Sequence, residues 1–193
     1  MPDHKPQKTP PEPSALSEKD RIAEMIRVDH AGEYGAVRIY QGQLAVFRGL
    51  RHKKEMTQTL ERMAEDEERH LARFNKIVND EHVRPTALAP FWHTAGFALG
   101  AATALLGEKA AMACTAAVEE VIEDHYGRQI ETLATMGPDH HDLTDTIKEF
   151  RDEEVAHKNE AIERGAEQAP AYPLLSGAIK AGCRIAIKLA EKA

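Results

Sequence analysis

The chain has 193 residues, a formal net charge of −7 at pH 7 and a pI near 5.8. This acidity argues against a general nucleic-acid-binding protein, because contacts to phosphates need a basic face. Aromatic residues make up only 5% of the chain, no Asn-Gly or Asp-Gly hairpin turn occurs, and Ala, Glu, Leu, Arg and Lys dominate long stretches. Composition and length therefore predict an all-α protein with one substantial core.

The first segment, residues 1–16, is rich in proline and charge, which is typical of neither a secretory signal peptide nor a transit peptide. We expect a disordered tail there and a single domain over residues 17–193. Cys114 and Cys183 form no short-spaced motif, so they indicate a reducing compartment and packed thiols rather than ligands. A bacterial cytoplasmic setting is the simplest interpretation.

Four long helices are predicted after the tail. Ser17 offers an N-cap, and apolar residues at helical spacing continue to about residue 49. Similar patterns predict helices over about 54–78, 108–136 and 142–164. The first helix contains three glycines that each weaken it by roughly 1 kcal/mol relative to alanine. We expect them to mark a backbone crowded by neighbouring helices: Gly32, Gly35 and Gly42.

Two further segments are apolar. Residues 91–107 carry no formal charge, but they are too short and glycine-rich for a transmembrane helix, which needs about 20 apolar residues. Residues 174–192 are predicted to form a basic amphipathic helix with a cation at every fourth position: Lys180, Arg184, Lys188 and Lys192. Such a helix either lies on an anionic membrane surface or caps the bundle with its lysines in water. The uncharged segment 91–107 offers a further apolar surface, and its presence favours membrane association.

Two Glu-x-x-His pairs are the main chemical signal. Each pair follows a helix-borne glutamate by nearly the same distance, 34 residues in the first half and 35 in the second. Residues three apart on a helix share a face, so each pair can present a carboxylate and an imidazole to one metal ion. The layout is typical of a carboxylate-bridged two-metal site in a four-helix bundle. The residues are Glu33, Glu67 and His70, then Glu119, Glu154 and His157.

The charge of this set indicates the metal. Four carboxylates and two imidazoles carry four formal negative charges, which balance two divalent cations and suit iron or manganese better than zinc. Neither pair belongs to an H-E-x-x-H zinc-protease motif, because Asp66 and Glu153 stand where that motif requires histidine. Spacing alone leaves Glu119, Glu120 and Glu123 open as the fourth carboxylate. The alternative interpretation is a set of solvated charged faces.

Several segments resemble the demethoxyubiquinone hydroxylase family of ubiquinone biosynthesis over about residues 22–192: IRVDHAGEYGAVRIY, EDEERHLARFN, AMACTAAVEE, FRDEEVAHK and APAYPLLSGAIKAGCRIAIKLAEK. The resemblance implies a ferritin-like four-helix bundle with additional membrane-interfacial helices. It also implies a di-iron monooxygenase that uses O2 to hydroxylate the ring of a demethoxyubiquinone, a 2-polyprenyl-3-methyl-6-methoxy-1,4-benzoquinol. NADH or another electron donor would supply the electrons, although the chain has no G-x-G-x-x-G motif.

The family's VEE pattern selects Glu119 as the sixth ligand. By analogy, Glu67 and Glu154 would bridge two iron ions, each histidine would hold one iron, and the remaining two glutamates would be terminal. His125 and Tyr126 match the family's HY pair, and the resemblance implies that they orient substrate or relay electrons. The alternative is a pair of ordinary hydrogen-bonded residues on a partly buried helix. Glu123 and Tyr126 share a helix face with Glu119 and could support it.

The implied partners are a polyprenylated quinone and a membrane surface, with an entrance between residues 91–107 and 174–189. A lipid-presenting protein and a homo-oligomer stay open, and no nucleic acid is expected. We expect a peripheral location on the cytoplasmic side of a bacterial cell membrane, favoured over the matrix side of a mitochondrial inner membrane. Two rival hypotheses are a ferritin-like ferroxidase or peroxide-reducing protein, and a non-enzymatic helical membrane adaptor.

Overall fold

The computed structural model describes residues 16–192, so the predicted tail lies almost entirely outside the described residues. Within that range the chain forms six α-helices, three short 3-10 turns and no strand, which confirms the all-α ferritin-like bundle. The predicted helix ends fall within about two residues of the observed ones. The helices are α1 Glu18–Phe47, α2 Lys54–Asp80, α3 Ala89–Leu105, α4 Glu108–Ala134, α5 His141–Glu163 and α6 Tyr172–Ala190.

Helices α1, α2, α4 and α5 form the bundle, with α1 against α2 and α4 against α5. The Ser17 side chain caps α1 by accepting a hydrogen bond from the backbone N–H of Asp20 at 3.2 Å. Apolar clusters fill the two ends of the bundle. One surrounds Leu60 and Met63, and the other surrounds Phe74 and Ile147. The glutamates and histidines of the predicted metal site lie between these clusters, so packing on both sides holds their helices in place.

Helix α3 packs on the outside of α1 at very short range. A Cβ atom at Gly100 would lie 1.9 Å from the carbonyl oxygen of Ile39, and one at Gly42 would lie 2.2 Å from the carbonyl oxygen of Phe97. Only glycine permits this approach. The crowding predicted for α1 is therefore confirmed at Gly42, and the carbonyl oxygen of Gly35 also lies only 2.9 Å from where a Cβ of Gly96 on α3 would be. At Gly32 the prediction is wrong, because a Cβ there would meet no atom within 4 Å among the described residues.

Helix α6 packs mainly on α4. The predicted row of solvent- or membrane-facing cations is wrong at Lys180, because its Nζ lies 2.6 Å from a carboxylate oxygen of Glu120 on α4. The outward face of α6 carries the exposed Arg184 and Lys188 beside large apolar side chains, including Leu174, Ile185 and Leu189. None of the described helices combines the length and apolar character needed to span a bilayer.

Candidate metal centre

The six predicted ligands meet at the middle of the bundle, contributed by all four of its helices. Every one of them is at most 3% exposed. Their ligand atoms form two groups, and within each group all of these atoms lie within 4.8 Å of one another. Glu67 and Glu154 belong to both groups, and each remaining ligand belongs to one. The first group is Glu33, Glu67, His70 and Glu154, and the second is Glu67, Glu119, Glu154 and His157.

Both histidines turn Nδ1 toward this centre. Nδ1 of His70 lies 3.1 Å from Glu154 Oε1 and 3.4 Å from Glu33 Oε2. Nδ1 of His157 lies 3.2 Å from Glu67 Oε1 and 3.5 Å from Glu154 Oε2. The Glu-x-x-His spacing produces this convergence, because it places the two side chains of each pair one turn apart on a single helix face.

The donor set fits a pair of divalent cations. Eight buried oxygen and nitrogen atoms of the six side chains have no hydrogen-bond partner within residues 16–192. They include both carboxylate oxygens of Glu67 and Glu154 and Nδ1 of both histidines. Leaving a buried polar atom unsatisfied costs about 1–3 kcal/mol, and more for a charged group. Coordination to cations satisfies such atoms, so the unpaired set has the chemistry of a dinuclear carboxylate–imidazole site.

The electrostatics of the cluster favour positive charge at its centre. Burial, and then the neighbouring Glu154, raise the pKa of Glu67 to about 8. Burial lowers the pKa of His70, but its close contacts with the Glu154 and Glu33 carboxylates raise the pKa by more, so that it reaches about 12. The same balance brings the pKa of His157 to about 11. Bound metal ions would replace the protons that these groups retain.

An outer layer of charged residues orients the histidines, and sequence reasoning missed its role. Nε2 of His157 lies 3.2 Å from Asp66 Oδ2, and Nε2 of His70 is hydrogen-bonded to Glu153. Each histidine is thus held by an acid from the opposite helix. Arg69 links the two acids, at 3.1 Å from Asp66 and 2.9 Å from Glu153. The signal was available, since an acid directly precedes the glutamate of each Glu-x-x-His pair.

Two buried tyrosines form hydrogen bonds to Glu33 and Glu119, the glutamates that each belong to only one ligand group. The hydroxyl of Tyr40 on α1 donates to Glu119 Oε1 on α4 at 3.0 Å, and the hydroxyl of Tyr126 on α4 donates to Glu33 Oε1 on α1. These bonds leave the second oxygen of each glutamate unpaired within the described part of the chain. Sequence reasoning singled out Tyr126 but missed Tyr40, although each tyrosine follows the glutamate on its own helix by seven residues.

The other predicted supporting residues lie further from the ligands. His125 is hydrogen-bonded through Nε2 to Asp29 Oδ1 at 3.0 Å and does not contact any of the six ligands by a hydrogen bond or ion pair found among residues 16–192. Glu123 pairs with Lys158 on α5, and no contact with Glu119 supports its predicted role among the described residues.

An apolar cluster covers the Glu119 side of the centre. It joins Ile39 of α1 and Val118 of α4 to Ile179 of α6, and both cysteines lie in it. Burial, and then the nearby charge of Glu119, raise the pKa of Cys183 to about 11. Both cysteines therefore act as apolar packing groups beside the glutamate.

Comparison with known proteins identifies the family. The model of the family described as ubiquinone biosynthesis protein COQ7 matches residues 20–190. The chain belongs to this family. It is similar to the 3-demethoxyubiquinol 3-hydroxylase of Rhodospirillum rubrum, with 54% identity over 182 residues that cover 94% of this chain and 81% of the relative. It is also similar to the mitochondrial NADPH-dependent 3-demethoxyubiquinone 3-hydroxylase of Homo sapiens, with 50% identity over 174 residues, 90% of this chain and 77% of the relative. The family predicted from the sequence is confirmed.

Proposed function

We propose that this protein hydroxylates the ring of a polyprenylated demethoxyubiquinone with O2, at a dinuclear iron centre held by the six buried glutamates and histidines. The class of enzyme is a hydroxylase of ubiquinone biosynthesis, as its family and relatives indicate. The observation that carries the iron centre is the set of eight buried, unpaired ligand atoms converging between four helices. The donors are oxygen and imidazole nitrogen without thiolate, which suits iron.

The protein's own part is to place, orient and isolate these groups. Glu67 and Glu154, which belong to both ligand groups, would bridge the two ions, while Glu33 and Glu119 would each bind one. Two iron ions, when bound, supply the redox chemistry that activates O2. The tyrosine hydroxyls and outer acids fix the ligand side chains, so little reorganisation is required when the metal changes charge.

We infer that a nicotinamide nucleotide is the electron source. The human relative is named as NADPH-dependent, and a hydroxylation that places one oxygen atom in product and one in water consumes two electrons. No dinucleotide-binding G-x-G-x-x-G motif occurs in this chain. The electrons would therefore arrive through a different nucleotide contact or through a separate reductase.

We infer that α3 and α6 place the protein on the cytoplasmic surface of a bacterial membrane. Both helices expose large apolar side chains at helical spacing: Phe91 and Leu105 on α3, and Leu174, Ile185 and Leu189 on α6. Arg184 and Lys188 are exposed beside the α6 residues and suit anionic headgroups. The apolar cluster with Ile39, Val118 and Ile179 lies next to Glu119. We infer that the quinone ring of the lipid substrate approaches the metal from the bilayer along this cluster.

The test is to measure iron per chain together with O2-dependent hydroxylation of a short-chain demethoxyubiquinone analogue under reducing conditions. Two irons with hydroxylated product would support the proposal. Two irons without product, but with rapid oxidation of added Fe²⁺ or removal of peroxide, would instead support the ferritin-like rival. A protein that binds membranes but no metal would support the adaptor hypothesis.

A further inference from the structure

The two halves of the bundle repeat more than the metal ligands. The glutamate and the tyrosine seven residues later are followed in each half by a glutamine three residues after the tyrosine, Gln43 in the first half and Gln129 in the second. Both glutamines are buried, at 0% and 5% exposure. The surroundings of the centre can therefore be compared position by position between its two sides.

Two positions next to the centre break this repeat. Asp29, one helical turn before the first glutamate, has Thr115 as its counterpart in the second half. His125, directly before the second tyrosine, has Ile39 as its counterpart. The Glu33 side of the centre thus carries a carboxylate and an imidazole where the Glu119 side carries a threonine and an aliphatic residue.

The polar residues form one connected group. His125 Nε2 lies 3.0 Å from Asp29 Oδ1, and the Gln129 amide donates to the same oxygen at 2.8 Å. Asp29 is 2% exposed, and its other oxygen, Oδ2, has no hydrogen-bond partner within residues 16–192. A buried carboxylate with one unpaired oxygen lowers the stability of the fold, so its presence indicates a functional role.

This group connects the interior with solvent. The His125 side chain is 14% exposed and lines a pocket of about 180 Å³. Charged residues surround the same pocket: Glu24 of α1, Arg128 of α4 and Glu191, which directly follows α6. At the inner end, Asp29 lies four residues from Glu33 on α1, which is one helical turn, or about 6 Å. On the Glu119 side the apolar cluster with Ile39 takes the place of such a polar connection among residues 16–192.

We propose that the Asp29–His125 pair relays protons from this pocket to the metal centre, on the side opposite to the apolar route for the quinone. His125 takes a proton from solvent and passes it through Nε2 to Asp29, and the free Oδ2 of Asp29 passes it on toward Glu33. Burial raises the pKa of Asp29, against the lowering effect of His125 and Gln129. The relay rests on the proposed function.

The stoichiometry of hydroxylation requires that a proton reach the centre from solvent. One oxygen atom of O2 enters a ring C–H bond to give a hydroxyl group, and the other becomes water. A reduced nicotinamide nucleotide provides two electrons and one proton, so one more proton must come from solvent in each turnover. A polyprenyl chain in the apolar route excludes water from that side. The polar side is therefore the path by which the proton arrives.

Removal of the imidazole tests the relay directly. His125→Ala should lower hydroxylation about 10²-fold, the scale of a lost proton-transfer group, while the iron content stays at the wild-type value. The hole opens into the pocket, so added imidazole should restore the rate in a saturable way. Pyrazole has the same shape but is not protonated at neutral pH, and it should not restore the rate. An unchanged rate, no rescue by imidazole, or equal rescue by pyrazole would overturn the relay.

The second member of the pair is tested by its coupling to the first. Asp29→Asn should also lower the rate, and the double variant should lose no more than His125→Ala alone, because both changes break one path. Losses that multiply would mean separate roles and would overturn the pair. Thr115→Val is the matched control, since it changes the counterpart of Asp29 and should keep the wild-type rate. A wild-type protein that does not hydroxylate would refute the proposed function itself.

Discussion

Replacement of Glu153 by alanine tests the outer layer that orients the histidines. Glu153 accepts a hydrogen bond from His70 Nε2 and is also bound to Arg69 at 2.9 Å. A hydrogen bond to a charged group contributes about 1.5–3 kcal/mol, and the 32% exposure of Glu153 places it toward the lower end through solvent screening. At 1.36 kcal/mol for each tenfold change, the lower end of this range means that Glu153→Ala should weaken binding of the iron held by His70 by about tenfold.

The assay is an anaerobic titration of Fe²⁺ against a competing chelator, which reports the affinity of each of the two sites. Glu149→Ala is the matched control, because Glu149 is an exposed glutamate one turn earlier on α5. The expected result is weakening of one site in Glu153→Ala and no change in Glu149→Ala. Unchanged affinity in Glu153→Ala, or equal loss in the control, would show that the outer acids do not tune the histidines.

Three further outcomes follow from the same structure. Glu154→Ala should reduce the bound iron and abolish hydroxylation, since Glu154 belongs to both ligand groups, and full iron occupancy with full turnover would contradict its assignment. Gly100→Ala should lower the thermal unfolding midpoint by several degrees, because its Cβ would meet Ile39 backbone atoms, whereas Gly127→Ala on α4 meets no such atom among those described and should not lower it. Charge reversal at Arg184 and Lys188 should weaken binding to anionic vesicles at unchanged iron content, and unchanged vesicle binding would refute the role of α6 at the membrane.

The ligand set could be predicted because the information is local. A Glu-x-x-His pair faces one way on any helix, and its repetition after similar intervals indicates two halves that meet. The choice of Glu119 over Glu120 was not local and needed the family resemblance. The structure shows the physical difference, since Glu119 is 1% exposed beside the tyrosine of α1, whereas Glu120 faces α6 and pairs with Lys180.

What could not be predicted depends on contacts between helices distant in sequence. Tyr40 holds Glu119 across 79 positions, and Arg69 reaches Glu153 across 84. Helical periodicity shows that such residues face inward or outward, but not which helix they meet. The same limit explains the error at Lys180, whose regular spacing with other cations suggested an open surface. Its partner on α4 is 60 positions away.

The surroundings of the centre distinguish its chemistry better than the ligands do. A ferroxidase would share the six ligands, but it must admit hydrated Fe²⁺, which needs a polar entrance that replaces water ligands. In this protein the Glu119 side is shielded from water by aliphatic and thiol side chains that continue to α3 and α6, and the polar pocket on the other side ends at a single carboxylate–imidazole pair. On the proposed function, an apolar ring enters from the first side and a proton from the second, so the two faces of a nearly symmetric ligand set would have unequal tasks.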